Sequence, residues 1–267
     1  MKLFFYTVCL SVATLVWFSG CSKNPPKCSD DLTTNSVKNL IIKHSHLGNE
    51  FNSEDIRNKM QFEYIRPTAF DEKIKKYSCE ADLIIGDDYK VSIKYESQLS
   101  DDESQQLISV FNISLEEVKD KIIESIFSCP KSNEFCILNN GIYWSSKTKD
   151  YKFFDEAKDY CKSIGGRLPT ISELRTLIQN CPETETGGTC KVKDDCSSGS
   201  CWNDDACRGC SESPDGKYSK FRDTGWFWSS SAIPEYSNTA WSVSFNNGYI
   251  KPTRKDSRNR AITRCVK

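Results

Sequence analysis

The chain has 267 residues, enough for two modest domains. Its formal net charge of -1 excludes the strong basic excess that non-specific nucleic-acid binding needs, so no nucleic-acid partner is expected. With 27% charged and 12% aromatic residues, most of it should fold rather than stay disordered. Fourteen cysteines stand against two histidines, His44 and His46, which favours disulfides over mixed Cys/His metal sites. Cys207-Arg-Gly-Cys210 alone keeps an all-cysteine zinc site open.

The N-terminus favours the oxidising alternative. Lys2 precedes sixteen largely apolar, uncharged residues, Leu3 to Phe18, and a polar, Pro-containing stretch follows, Ser22 to Lys27. This reads as a secretory signal over residues 1–20 and a linker over 21–35, with an uncleaved membrane anchor as the alternative. Phe18-Ser-Gly-Cys21 resembles the lipobox of bacterial lipoproteins, with Phe18 where that motif usually has Leu. The resemblance implies that Cys21 carries the lipid. Removing Cys9 with the signal and Cys21 to lipid leaves twelve cysteines, an even set that can pair completely.

The first folded region is expected over 36–128. Ser36 could cap a helix with Val37, Leu40, Ile41, His44 and Leu47 on its apolar face, where His44 reads as a boundary histidine satisfied by a hydrogen bond. Lys75 to Ile85 reads as a strand, and Gly86-Asp-Asp88 as a turn. Tyr89 to Tyr95 alternates strictly, with Tyr89, Val91, Ile93 and Tyr95 on one face. Gln106 to Ile113 is a third strand. Ser114 with Glu117 forms a capping box for a helix bearing Leu115, Val118, Ile122, Ile126 and Phe127. These elements make a small α+β unit with an antiparallel sheet, in an order that suggests a cystatin-like arrangement.

The second region, 136–267, opens with a strand at Gly141 to Trp144. Phe153, Phe154, Ala157, Tyr160, Cys161 and Ile164 recur at helical spacing and stop at Gly165-Gly166. Thr170 and Glu173 make a second capping box, for a helix with Ile171, Leu174, Leu177 and Ile178. After a cysteine-rich insert, 181–210, short strands are expected at 226–231, 240–245 and 261–265. The fold class is therefore α+β in both regions.

Tyr160-Cys161, Gly165-Gly-Arg-Leu-Pro-Thr170, Glu173-Leu174, Trp228-Ser-Ser-Ser231, Trp241-Ser-Val-Ser-Phe245 with Gly248, and Arg264-Cys-Val266 occur in that order. The pattern resembles the Fibrobacter succinogenes major paralogous domain, also called the Lcl C-terminal domain, over about half the chain. That resemblance implies a C-type-lectin-like fold, an extracytoplasmic role in binding or adhesion, and a bond between Cys161 and Cys265. Cys28, Cys79, Cys129 and Cys136 then form an even set around the first region. Cys181, Cys190, Cys196, Cys201, Cys207 and Cys210 could make three bonds in the insert, in an order that spacing leaves open.

Three groups are candidate sites. Asn203 and Asp204, in a Trp-Asn-Asp tripeptide like one that binds calcium in animal C-type lectins, are weighed against a solvated acidic loop that also holds Asp194, Asp195 and Asp205. No cofactor is otherwise expected. The basic run Lys251, Arg254, Lys255, Arg258 and Arg260 could meet anionic glycans or lipopolysaccharide phosphates, or be a solvated loop. Of the aromatics, Trp228 and Trp241 are the proposed ligand faces, with Arg254 and Arg258 as polar partners. With no histidine beyond His46, the second region lacks a His-based general base. The expectation is thus a non-enzymatic, lipid-anchored bacterial envelope protein at the outer membrane or cell surface, binding a glycan or an envelope or host surface protein. The alternatives are a structural envelope protein and a thiol enzyme like those that generate formylglycine.

Overall fold

The computed structural model describes residues 10–14, 24–130, 132–196, 201–256 and 258–267. Cys9 and Cys21 lie outside the described residues. The chain divides into two compact units, Met1–Ile126 and Phe127–Lys267. Cys129 and Cys136 therefore sit in the second unit and not around the first. Both units mix helices with antiparallel sheet, an α+β architecture.

In the first unit a five-stranded antiparallel sheet runs in the order β1-β5-β4-β3-β2, where β1 is Leu10–Thr14, β2 Met60–Asp71, β3 Lys76–Ile85, β4 Tyr89–Leu99 and β5 Gln106–Phe111. Strict alternation builds β4: Ile93, Tyr95, Ser97 and Leu99 point inward and are buried, while Lys90, Ser92 and Lys94 are exposed. Two helices supply the other side of the core, α1 (Asp31–His44) through Val37, Leu40 and Ile41, and α3 (Leu115–Ile126) through Val118 and Ile122. The amide of Glu117 donates to Ser114 Oγ at 3.4 Å, the expected cap.

Three expectations for this unit are corrected. Helix α1 starts five residues before Ser36, which is buried inside it, so the linker reading of 31–35 gives way to helix. Thr33 faces the core, where Gln106 Nε2 donates to its hydroxyl at 2.9 Å. The remaining linker packs down as well: Cys28 is bonded to Cys79, Tyr95 donates its hydroxyl to the Cys28 carbonyl at 2.8 Å, and Ser97 donates to the Pro26 carbonyl at 2.9 Å. Among the described residues the buried His44 Nε2 has no hydrogen-bond partner, where a satisfied histidine was expected. The sheet also contains β2, preceded by a short helix α2 (Ser53–Asn58), neither of which the sequence reading anticipated.

In the second unit a hairpin of β6 (Phe135–Asn139) and β7 (Ile142–Ser145) precedes helices α4 (Phe154–Ser163) and α5 (Ile171–Arg175). After the insert, which contains α6 (Asp204–Cys207), come β8 (Trp226–Ala232), β9 (Thr239–Ser244) and β10 (Tyr249–Arg254), with β9 central. The expected last strand at 261–265 is replaced by single bridges, Lys152 with Ala261, Phe227 with Ile262, and Trp144 and Arg167 both with Val266. The two ends of the unit are thus stitched together, and Cys161 is bonded to Cys265 across a separation of 104 residues. Gly166 permits this: a Cβ there would overlap the Phe135 ring and the Val266 carbonyl. Among the described residues no helix is long and apolar enough to cross a membrane.

Candidate functional site

The insert is organised by covalent bonds and by one cation. Disulfides join Cys181 to Cys210, Cys190 to Cys207 and Cys196 to Cys201. Arg175, at the end of α5, is 6% exposed and points into the insert. Its Nε donates to the Thr184 carbonyl at 3.0 Å, Nη1 to Val192 at 2.5 Å and Nη2 to Glu185 at 2.6 Å. Burial pushes its pKa down from the ordinary arginine value, and three carbonyl dipoles offset the lost hydration. A stretch with few apolar residues is thereby held by a planar donor that bonds three carbonyls, on two segments of its backbone, at once.

The insert also covers an edge. Strand β10 is one of the two outer strands of its sheet, and its Ile250 carbonyl accepts from Trp202 Nε1 at 3.0 Å. The Cys210 amide donates to the Asn247 carbonyl at 2.7 Å, which draws the insert against the turn into β10.

The calcium candidates have other partners. Asn203 is the N-cap of α6, and its side-chain oxygen accepts from the amides of Asp205 at 2.9 Å and Ala206 at 3.4 Å. Asp204 accepts from the Tyr249 hydroxyl at 2.7 Å and pairs with Arg208. These bonds hold its carboxyl below the ordinary carboxylate range, with Arg208 the larger cause and Tyr249 the next. Asp194 accepts from the Ser172 amide at 3.1 Å and the Ser231 hydroxyl at 2.9 Å, tying the insert to α5 and β8. Asp195 pairs with Lys193. In this structure Asn203 caps α6, and Asp204, Asp194 and Asp195 are each held by protein donors. The ligand atoms of Cys181, Glu183 and Cys210 do lie together, but both sulfurs are consumed in one disulfide. All twelve described cysteines are paired.

The tryptophans sort differently from the expectation. Trp228 is 1% exposed and Trp241 is fully buried, so neither offers a face to a ligand. Trp228 donates its indole N–H to the Lys152 carbonyl at 2.9 Å and meets Phe154 edge-on. Trp241, in central β9, lies in the core with Phe227, Val243 and Phe245. Sequence periodicity assigns these residues to faces of strands without saying which face is covered.

Trp226 and Tyr249 are partly exposed; Tyr143, Tyr151 and Tyr236 are more open, at 49%, 51% and 57%, and the Tyr151 hydroxyl lies beside Gly225. Trp226 and Tyr249 meet at 5.7 Å between ring centres, and Lys251 Nζ stands 4.1 Å from the centre of the Trp226 ring. Burial, then the bond to Asp204, pushes the Tyr249 phenol up to about 12. The result is a strip of aromatic faces and charge, Trp226–Lys251–Tyr249–Asp204–Arg208, built on β8, β10 and α6.

The basic run divides in two. Lys251 and Arg254 belong to β10, not to a loop. Arg254 and Arg258 both pair with Asp256, at 3.0 and 3.3 Å, and their side chains are 64% and 78% exposed. Lys255 donates to the Ser237 carbonyl, and Arg260 lies 4.1 Å from the centre of the Phe153 ring. Arg254 and Arg258 remain outward-facing donors that share one carboxylate.

One buried pair escaped the sequence reading. Arg264 donates through Nε and Nη2 to the two oxygens of Asp223 at 2.7 and 2.9 Å, and through Nη1 to the Ser145 carbonyl at 2.6 Å and the Phe127 carbonyl at 3.3 Å. Arg264 stood in the quoted motif, but Asp223 lies in an irregular segment without periodicity and gave no signal.

Residues 138–267 match the family model of the Lcl C-terminal domain. The match covers just under half the chain, from within β6 to the last residue. No curated protein and no solved structure matches. The Lcl-matched domain contains α4, α5, the insert, the whole of the β8-β9-β10 sheet and the aromatic strip.

Proposed function

We propose that this chain is a lipid-anchored bacterial envelope protein whose Lcl-matched domain is a binding or adhesion module of C-type-lectin-like kind, in the wider group that includes the Fibrobacter succinogenes major paralogous domain. The anchor is Cys21, and the location is the outer membrane or the cell surface. The observation that carries the binding reading is the partly exposed strip of Trp226, Tyr249 and Lys251 on a frame stapled by disulfides. Aromatic faces beside fixed polar groups suit a sugar ring or a surface-protein side chain, and a rigid frame lowers the entropy cost of binding either. Arg254 and Arg258 add exposed donors for anionic groups. Complete pairing of the described cysteines argues against a thiol enzyme, whose nucleophile must be a free thiolate.

The test is binding of the lipidated chain, in detergent, to glycan and extracellular-matrix arrays, read beside tryptophan fluorescence. Trp226→Ala should lower the signal at least tenfold for any ligand found, with a smaller fall in melting temperature than Trp228→Ala because its ring is only partly buried. Trp228→Ala should lower the melting temperature, since truncating a buried tryptophan costs about 3–5 kcal/mol. A ligand whose binding is indifferent to Trp226→Ala would move the site elsewhere on the domain. Silence across both arrays would favour the structural envelope role.

A further inference from the structure

The two edges of the sheet in the first unit are built differently. The β2 edge is blunted in three ways: the pairing with β3 breaks register between Glu63 and Arg66 and again between Pro67 and Ala69, Pro67 lacks a donor, and Glu63, Arg66 and Asp71 bring charge. The β5 edge, Gln-Leu-Ile-Ser-Val-Phe, has no proline, no charged residue and no break in its pairing with β4. It is covered along its length by β1, Leu10 to Thr14, antiparallel and in register from Leu10 opposite Val110 to Thr14 opposite Gln106. That cover lies inside the segment proposed above to leave with the signal. The inference therefore rests on the cleavage before Cys21.

We infer that the β5 edge, once β1 is removed, pairs antiparallel with β5 of a second copy of this chain. The edge already accepts an antiparallel strand of five residues, so its backbone groups are straight and regular enough to pair. An uncharged strand can face its own copy without like-charge repulsion. A two-fold axis through Ser109 and normal to the sheet sets Ser109 opposite its own copy and Ile108 opposite Val110, which keeps Ile108 and Val110 of both copies on the helix-covered side, so the two sheets join into one. Anchoring both copies to one membrane raises their effective concentration and favours the pairing.

The experiment takes the mature chain, extracted from its membrane in mild detergent, and reads its N-terminus by mass and its size by light scattering. A dimer that Ser109→Lys converts to monomer is the expected result. Ser109 lies opposite Glu96 on β4, so a lysine there has a partner within the sheet while two lysines would face each other across the axis. Leu107→Lys, opposite Gln98, is the second variant, should the first not fold: on each side of the axis it sets a charge against Phe111 of the other copy. A monomeric mature chain, or a dimer that survives either folded variant, overturns the inference. A chain that keeps residues 1–20 overturns the cleavage itself, and mass alone identifies that failure before size is considered.

Discussion

Asp223→Asn isolates the charge of the buried pair with Arg264. The two side chains are 0% and 1% exposed, and the pair is bidentate at 2.7 and 2.9 Å. Asparagine keeps the volume and one acceptor, but turns an N–H group toward a guanidinium that has no acceptor of its own to offer. Arg264 retains the carbonyls of Ser145 and Phe127 through Nη1, and loses its partner at either Nε or Nη2. Breaking a buried pair by removing one charge costs about 3–5 kcal/mol, and the retained contacts place this variant near the lower figure. For a body of this size that is a fall of about 6–12 °C in the melting temperature. Every tryptophan except Trp17 lies in the second unit, so tryptophan fluorescence follows the melting of that unit selectively. The paired replacement Asp223→Leu with Arg264→Met should recover much of the loss, because it leaves no charge unpaired. A single variant that melts within about 2 °C of the parent would refute the pair as a stabilising element by the same conversion.

Removing Cys161 and Cys265 together as serines opens a loop spanning 104 residues, worth at most about 4.7 kcal/mol in the chain-entropy model, and should lower the guanidinium midpoint clearly. An unchanged midpoint would mean that the stitched ends of the unit hold without the bond. Burial raises the Glu173 carboxyl, but the ion pair with Arg167 and the Thr170 amide outweigh it, and Glu173 lies below the ordinary carboxylate range. A folded pKa below the unfolded one gives stability that is complete above the unfolded value, about 4.3, and is lost as pH falls through the folded value. The melting temperature of the parent should therefore drop more steeply below about pH 4 than that of Glu173→Gln, with parallel profiles as the contrary result.

Much of this architecture is legible in the sequence because period and capping are local. The alternation from Tyr89 to Tyr95 lands on β4, Ser114 and Thr170 cap the helices they were expected to cap, and Phe153 to Ile164 brackets α4. What escaped did so for physical reasons. In β2 the two register breaks and Pro67 destroy the period of two, so a twelve-residue strand leaves no pattern. Strand β10 carries Lys251, Pro252 and Arg254, which read as a charged loop, although Pro252 lies opposite Trp241 in the ladder. Helix α1 opens on Thr33 and Ser36, polar residues whose burial depends on the distant Gln106 and on the sheet beneath. The sorting of Trp226 from Trp228 and Trp241 needs the fold, since all three share the same composition and similar strand contexts. Arg175 gave no sign of its role, because its partners are backbone carbonyls of the insert and backbone has no sequence signature.

Lipid anchoring at Cys21 is proposed, together with full oxidation of the other cysteines of the mature chain. Intact-mass measurement of the protein taken from its own membrane tests both parts at once. The predicted mass begins at Cys21, includes attached acyl groups, and is lower by twelve hydrogens than the reduced polypeptide, two for each of the six bonds. A mass that retains residues 1–20, begins elsewhere, or shows Cys21 unmodified would contradict it.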